Sequence, residues 1–227
     1  MRSSILRLCP GRPFHRAIIL LPVTFFFIGL TGCTTTNPLN QAVLDDNTEK
    51  VTALLKAKPR LALSTDPGGD TLLHWAASAG HEELAQLLLD DKASVYARNM
   101  NGDTPLHLAA INGNLDIVKL LVANGAEINA ADLAGNTPLH LAAKNGQADV
   151  VEFLLLHEAD VNTKDENGDT PLDDAASSGQ EVVAEMLLAS GAIVNIKDND
   201  GKTPLYLATL NGHQDVAEDL SRHGGQE

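Results

Sequence analysis

Between Gly102 and Ala134 the apolar positions follow a helical period twice in succession. Leu106, Ala109 and Ala110, spaced by three and four, mark one face of a short helix that ends near Gly113. Leu115, Ile117, Val118, Leu120, Leu121 and Val122 then predict a second helix that closes at Gly125. The end signals agree with this reading. Thr104 suits an N-cap, and Pro105 suits the first helical position, where a missing N–H costs nothing. Gly125 is placed for the left-handed residue that follows a helix. Ala126 to Ala134 are a connection.

This pattern recurs five times at a spacing of 33 residues without an insertion, the copies opening at Gly69, Gly102, Gly135, Gly168 and Gly201. Their first six residues read GDTLLH, GDTPLH, GNTPLH, GDTPLD and GKTPLY. A fixed period of this length is the mark of a solenoid. Each helix pair carries apolar residues on more than one side, so it is buried only when neighbours stack on it. Residues 39–68 read as a degenerate further unit: Asn47 stands 33 positions before Gly80, Val51, Leu54 and Leu55 supply a second-helix stripe, and Gln41, Asp45 and Asp46 make the first helix polar. At the other end Asp219 and Ser221 replace the apolar Leu120 and Val122, or Phe153 and Leu155, of earlier copies, as a polar outer face closing the stack requires.

Thr-Pro-Leu-His at 104–107 and 137–140, Ala-Ala at 109 and 142, Asn-Gly at 112 and 145, Leu-Leu at 120 and 154, and Gly-Ala at 125 and 191 together resemble the ankyrin repeat. The resemblance extends over residues 69–227. It implies an all-α solenoid of five helix-turn-helix units (69–101, 102–134, 135–167, 168–200 and 201–227) behind a degenerate capping unit at 39–68. It further implies that turns and inner helices form a concave face, and that the variable positions of the turns and of the first helix's end meet a partner protein. Those positions are Met100, Asn101, Asp103, Ile111 and Asn112 in the second copy, and Leu133, Ala134, Asn136, Lys144 and Asn145 in the third. They continue as Glu166, Asn167, Asp169, Ser177 and Ser178, then Asn199, Asp200, Lys202, Leu210 and Asn211. Met100, Ile111 and Leu133 fall on neighbouring units and predict one exposed apolar patch of the kind that marks interaction sites, although single apolar surface residues are common.

Charge sharpens this picture. The 227 residues carry a formal charge of −14, yet Arg2, Arg7, Arg12 and Arg16 crowd the start and no acidic residue precedes Asp45. The acidic turn residues Asp165, Glu166, Asp169, Asp198 and Asp200 argue against nucleic-acid phosphates and for a partner with a basic face, although such acidity also serves general solubility. After Arg16 an apolar stretch runs from Ala17 to Leu30, interrupted by Pro22. It is shorter than the roughly 20 residues a spanning helix needs and reads as an export signal. Leu30-Thr31-Gly32-Cys33 resembles the lipobox of bacterial lipoproteins. That implies removal of residues 1–32, a lipid on the Cys33 thiol and a short linker over 33–38. Thr34 after the cysteine favours an outer-membrane anchor facing the periplasm, and an ordinary secretory signal that contains a cysteine is the alternative. Cys9 would leave with the leader, so no thiol would remain for disulfides or catalysis.

Several residues invite a chemical reading. His74, His107 and His140 recur at the repeat spacing, but equivalent positions in stacked helices lie on the order of 10 Å apart, too far to share a metal. The resemblance implies instead that each histidine braces its own turn. Asp173 and Asp174 break the phrase of the fourth copy, and Asp174 stands where Trp75, Leu108, Leu141 and Leu207 are found. Tolerated surface variation, a polar partner contact, and acid-base chemistry are the three readings, in that order. Lys92 and Glu158 replace the glycine seen at 125, 191 and 224, so these two turns carry conformational strain or bend differently. Lys164 to Asp169 looks superficially like a calcium loop but lacks its closing glutamate, Ala176 standing there instead. No cofactor-binding or metal motif is found. The resulting expectation is a non-enzymatic, monomeric, envelope-anchored protein-binding module. Alternatives are an immunity-type inhibitor that sequesters a toxin or hydrolase, a self-associating envelope scaffold, and an enzyme.

Overall fold

The structure, a computed structural model, describes residues 38–58 and 64–227. These form twelve α-helices and no strand: α1 (Pro38–Leu44), α2 (Thr48–Ala57), α3 (Leu72–Ala79), α4 (Glu82–Asp90), α5 (Pro105–Ile111), α6 (Leu115–Ala123), α7 (Pro138–Lys144), α8 (Ala148–Leu156), α9 (Pro171–Ser178), α10 (Glu181–Ala189), α11 (Pro204–Asn211) and α12 (Gln214–Arg222). From α3 onward each repeat contributes one pair. The odd-numbered helices pack in one row from α1 to α11, and α4 to α12 form a second row beside them. The leader, Cys33 and the linker as far as Asn37 lie outside the described residues, while Pro38 belongs to α1 rather than to the linker.

The core follows the period. Leu106, Ala109 and Ala110 are fully buried, as are Leu139, Ala142, Ala143 and Leu172, Ala175, Ala176. The alanine pair is what lets the inner helices approach closely, since a larger side chain there would hold the rows apart. Ile117, Val118 and Leu121 repeat as Val150, Val151, Leu154 and as Val183, Ala184, Leu187 in the outer row.

Two hydrogen-bond ladders hold the repeats in register. At the turn tips Met100 N donates to Gly68 O, Leu133 N to Asn101 O, Glu166 N to Ala134 O and Asn199 N to Asn167 O, each at 2.8 to 2.9 Å. At the other edge Asn129, Asn162 and Asn195 each donate from Nδ2 to a backbone carbonyl of the next unit and accept a backbone N–H on Oδ1. The first unit has exposed Tyr96 at that position. The tip ladder explains the glycine that opens each of the first four phrases. Gly135 has φ of +85°, and a Cβ there would stand 2.7 Å from Glu166 N and 2.9 Å from Asp165 Cα. The equivalent Gly201 has φ of +81° but nothing within 4 Å.

Three expectations change here. In the capping unit the left-handed residue is Asp46 (φ 50°), and Asn47 is instead the N-cap of α2, accepting Lys50 N at 2.9 Å. The alignment of Asn47 with Gly80 is therefore one residue out. Asp219 does not lie on a polar outer face: it is fully buried, its carboxylate covered by Arg222 Nη2 at 3.3 Å and His223 Nδ1 at 3.5 Å, while Ser221 is exposed. Lys92 (φ 69°) and Glu158 (φ 67°) adopt the same left-handed turn as Gly125 (φ 87°), so those turns are strained and not re-bent.

Glu158→Gly is accordingly expected to stabilise the array by about 1 kcal/mol. Gly201→Ala should cost about 1 kcal/mol and Gly135→Ala about 3, because the second adds a steric clash to the same strain. Urea denaturation of the three variants measures the order, and equal costs at the two glycines would refute the close-approach account.

Candidate functional site

The surface expected to meet a partner is built from the turns upward. Asp66, Asn99, Asp132, Asp165 and Asp198 recur three positions before each opening glycine. Each Oδ1 accepts two backbone N–H bonds of its own turn, from residues two and four further on, at 2.8 to 2.9 Å. Such side-chain caps hold a turn in one shape. This sets a limit on the acidic-surface reading, because Asp165 and Asp198 serve their own turns as well as contributing charge. The signal was present as a period-33 series of Asp and Asn, obscured because those carboxylates also fit a charged surface.

Below the turns the threonine and histidine of the phrase are joined. His107 Nδ1 accepts from Thr104 N at 3.1 Å and pairs with Thr104 Oγ1 at 2.8 Å, while Nε2 lies 3.1 Å from Asn136 O in the next repeat. His74 reaches Asp103 O and His140 reaches Asp169 O in the same manner. The neutral ring with its proton on Nε2 satisfies every partner. Burial holds all three histidines below the ordinary value of 6.5, against the raising effect of the backbone carbonyls. They are braces between repeats, and among the described residues no group of three or more His, Cys, Asp or Glu is placed to hold a metal.

Two shallow clefts open between the turn tips. Met100 and Leu133, 71% and 67% exposed, line the first with Asn101, Asp103, Asp132, Ala134 and Glu166; its volume is about 420 Å³. Ile111, half-buried at the end of α5, does not line this cleft, so the predicted three-residue patch is a pair. Asp103 is only 9% exposed and accepts Asn99 Nδ2 on its carboxylate, so it is mostly turn scaffold and not the open contact expected. The second cleft, of about 320 Å³, is lined by Glu166, Asn167, Asp169, Ser177, Asp198, Asn199, Asp200, Lys202 and Leu207. Asp169 is raised to about 6 by burial first, then by Asp165, Asp174 and Asp198, with Lys144 opposing.

Other expected contact residues have local duties. Asn112, Asn145 and Asn211 donate from Nδ2 to the carbonyls of Leu108, Leu141 and Leu207, closing the last turn of their own helices at 2.8 to 3.0 Å. Asn136 Nδ2 donates to Asp132 Oδ2, and Asn199 Nδ2 to Glu166 O. Lys144 Nζ reaches Asp174 Oδ1 at 3.2 Å. Ser178 is half-buried, and Leu210 is 61% exposed on the last unit. Asp174 itself is 5% exposed and Asp173 is fully buried, which overturns the surface-variation reading of that pair.

A family model described as ankyrin repeats in three copies matches residues 23–99, 39–132, 92–165 and 139–227. The chain belongs to the ankyrin repeat family. Its repeats therefore make it a protein–protein interaction module, the general role of ankyrin repeats. The chain is also 39% identical over 70 residues to a protein described as probable E3 ubiquitin-protein ligase XBOS32 of Oryza sativa subsp. japonica. That stretch is 30% of this chain and 14% of the relative, about the length of two ankyrin repeats. The likeness carries the repeat and not the relative's activity.

Replacing His107 by Ala strips partners from Thr104 and from Asn136 O, and should cost about 2 to 3 kcal/mol. A urea midpoint unchanged from that of the parent protein would show that the histidine bridge is dispensable.

Proposed function

We propose that this ankyrin array is a non-enzymatic binding module that holds a protein with an apolar anchor and a basic face, tethered to a bacterial envelope through Cys33. The observation that carries the reading is the pairing of the two clefts on one laced row of turn tips. Exposed Met100 and Leu133 supply desolvation energy, on the order of 1.5 to 3 kcal/mol per fully covered side chain. Glu166, Asp169, Asp198 and Asp200 lie along the same row and favour a cationic partner. Because the tips are fixed by backbone hydrogen bonds, little loop ordering opposes association. The excess of negative charge also speeds encounter with a cationic partner and makes it sensitive to salt.

The anchor rests on the lipobox resemblance at Leu30 to Cys33. No helix among the described residues is long and apolar enough to cross a membrane. Two or more acyl chains would give stable attachment where one chain is marginal. Thr34 favours the outer membrane, with the array in the periplasm.

A photo-reactive side chain at position 133 in intact cells should capture one protein. Purified, that protein should bind the Met100→Asp/Leu133→Asp variant at least about tenfold more weakly. Equal affinity for variant and parent, or no captured protein, would overturn the binding surface. Separately, Cys33→Ser should move the protein from the membrane fraction to the soluble fraction, and retention in the membrane fraction would rule out the lipid anchor.

A further inference from the structure

The fourth repeat differs from the first three where the repeats are joined. His74, His107 and His140 each offer Nε2 to a carbonyl of the following unit. Asp173 takes over only half of this task. Its Oδ2 accepts from Thr170 N at 2.8 Å and Thr170 Oγ1 at 2.7 Å, but Oδ1 is buried with no hydrogen-bond partner. An ionised carboxylate has no proton to offer to the fifth repeat. Asp174 adds a second buried carboxylate where other copies have a large apolar side chain, and its Oδ2 also lacks a hydrogen-bond partner. Its counter-ion, Lys144, sits on α7 in the preceding repeat. The fourth repeat is thus tied backward by an ion pair, while the forward brace under α11 is missing. The long-range hydrogen bonds that remain to the fifth repeat run from Asn195 Nδ2 to Gly224 O, from Gln226 N to Asn195 Oδ1, and between His213 Nε2 and Ser177 O.

The charged and titratable surroundings leave the pair poorly compensated. The flanking turns present Asp165, Asp169 and Asp198. From α7 come Lys144 and His140, the latter engaged with Asp169 O. Before α11 stands Lys202, its Nζ 2.8 Å from Asp200, and α11 itself carries exposed Tyr206. On α10, Glu181 and Glu185 are exposed. Burial, reinforced by Asp169 and Asp198 and opposed by the Thr170 bonds, pushes Asp173 up to about 7. Burial pushes Asp174 up to about 6 against Lys144.

We propose that the junction between the fourth and fifth repeats is a proton-operated hinge: with Asp173 neutral, α11 and α12 stay docked, and with it ionised they open more readily than the other helix pairs. A carboxyl raised in the folded state binds its proton more tightly there than in the open state, so docking is strongest below about pH 4 and weakens through about pH 7. The three histidine junctions run the other way. Their lowered values make the folded state lose stability as pH falls below 6.5. The cleft between Glu166 and Lys202 draws its walls from the third, fourth and fifth repeats, Lys202 and Leu207 coming from the fifth, so opening the hinge removes one wall.

Amide hydrogen exchange on the full chain in mild detergent, corrected for intrinsic rates, tests this within one molecule. From about pH 5 to about pH 8 the opening equilibrium of α11 and α12 should rise by more than roughly tenfold, one pKa unit of linkage being tenfold. Over the same range α3 to α8 should open less. Asp173→Asn, which keeps an acceptor for Thr170 and cannot ionise, should abolish most of the rise. Opening of α11 and α12 that is flat with pH, or an undiminished rise in Asp173→Asn, would overturn the hinge. The comparison of α11–α12 with α3–α8 in the parent protein stands even if the variant does not fold.

Discussion

Each turn tip from Met100 onward has to come within hydrogen-bonding distance of the tip before it. The backbone N–H of Leu133, Glu166 or Asn199 must reach a carbonyl in the preceding unit, and the path passes over a glycine. That glycine is in a left-handed conformation, and its missing side chain is the space the neighbour occupies. Much else follows from this approach. It fixes the rise from repeat to repeat, sets the depth at which the alanine pairs of the inner helices meet, and leaves no room for an insertion. The unbroken 33-residue period is the visible consequence.

A second constraint lies beneath the tips. Bringing two turns together buries backbone carbonyls and threonine groups that need partners. A neutral histidine answers this three times with one acceptor nitrogen and one donor nitrogen in a fixed geometry. Aspartate at 173 meets the local demand and not the long-range one. The same fold is thereby held by junctions with opposite dependence on protons, a difference made by one side chain in an otherwise repeated frame.

Function is separated from this frame by position. The turn-capping Asp and Asn oxygens, the bridging histidines and the helix-closing asparagines are committed to the scaffold. What stays open is the pair Met100 and Leu133 and, one cleft along, the outward-facing carboxylates near Asp200. A rigid row with variable tips is suited to recognising another protein's surface, because specificity changes at the tips without disturbing the bonds that space them.

Sequence by itself determined the helix pairs, their caps, their period and the row to which the expected contact residues belong. These depend on local periodicity and on backbone preferences that one repeat already displays. It also marked Asp173 and Asp174 as departures, Lys92 and Glu158 as turns either strained or re-bent, and the period-33 acids as present without disclosing their work. What only the tertiary structure decided is which polar groups are buried. Asp174 and Asp219 look like surface residues along the chain and are closed off by side chains from another helix or the next helical turn. Ile111 looks like part of a patch, and stacking leaves it half-buried outside the cleft. The reason is physical. Burial in a solenoid is a relation between repeats, and the distance and angle of that relation are set by the close approach of backbones at the glycine.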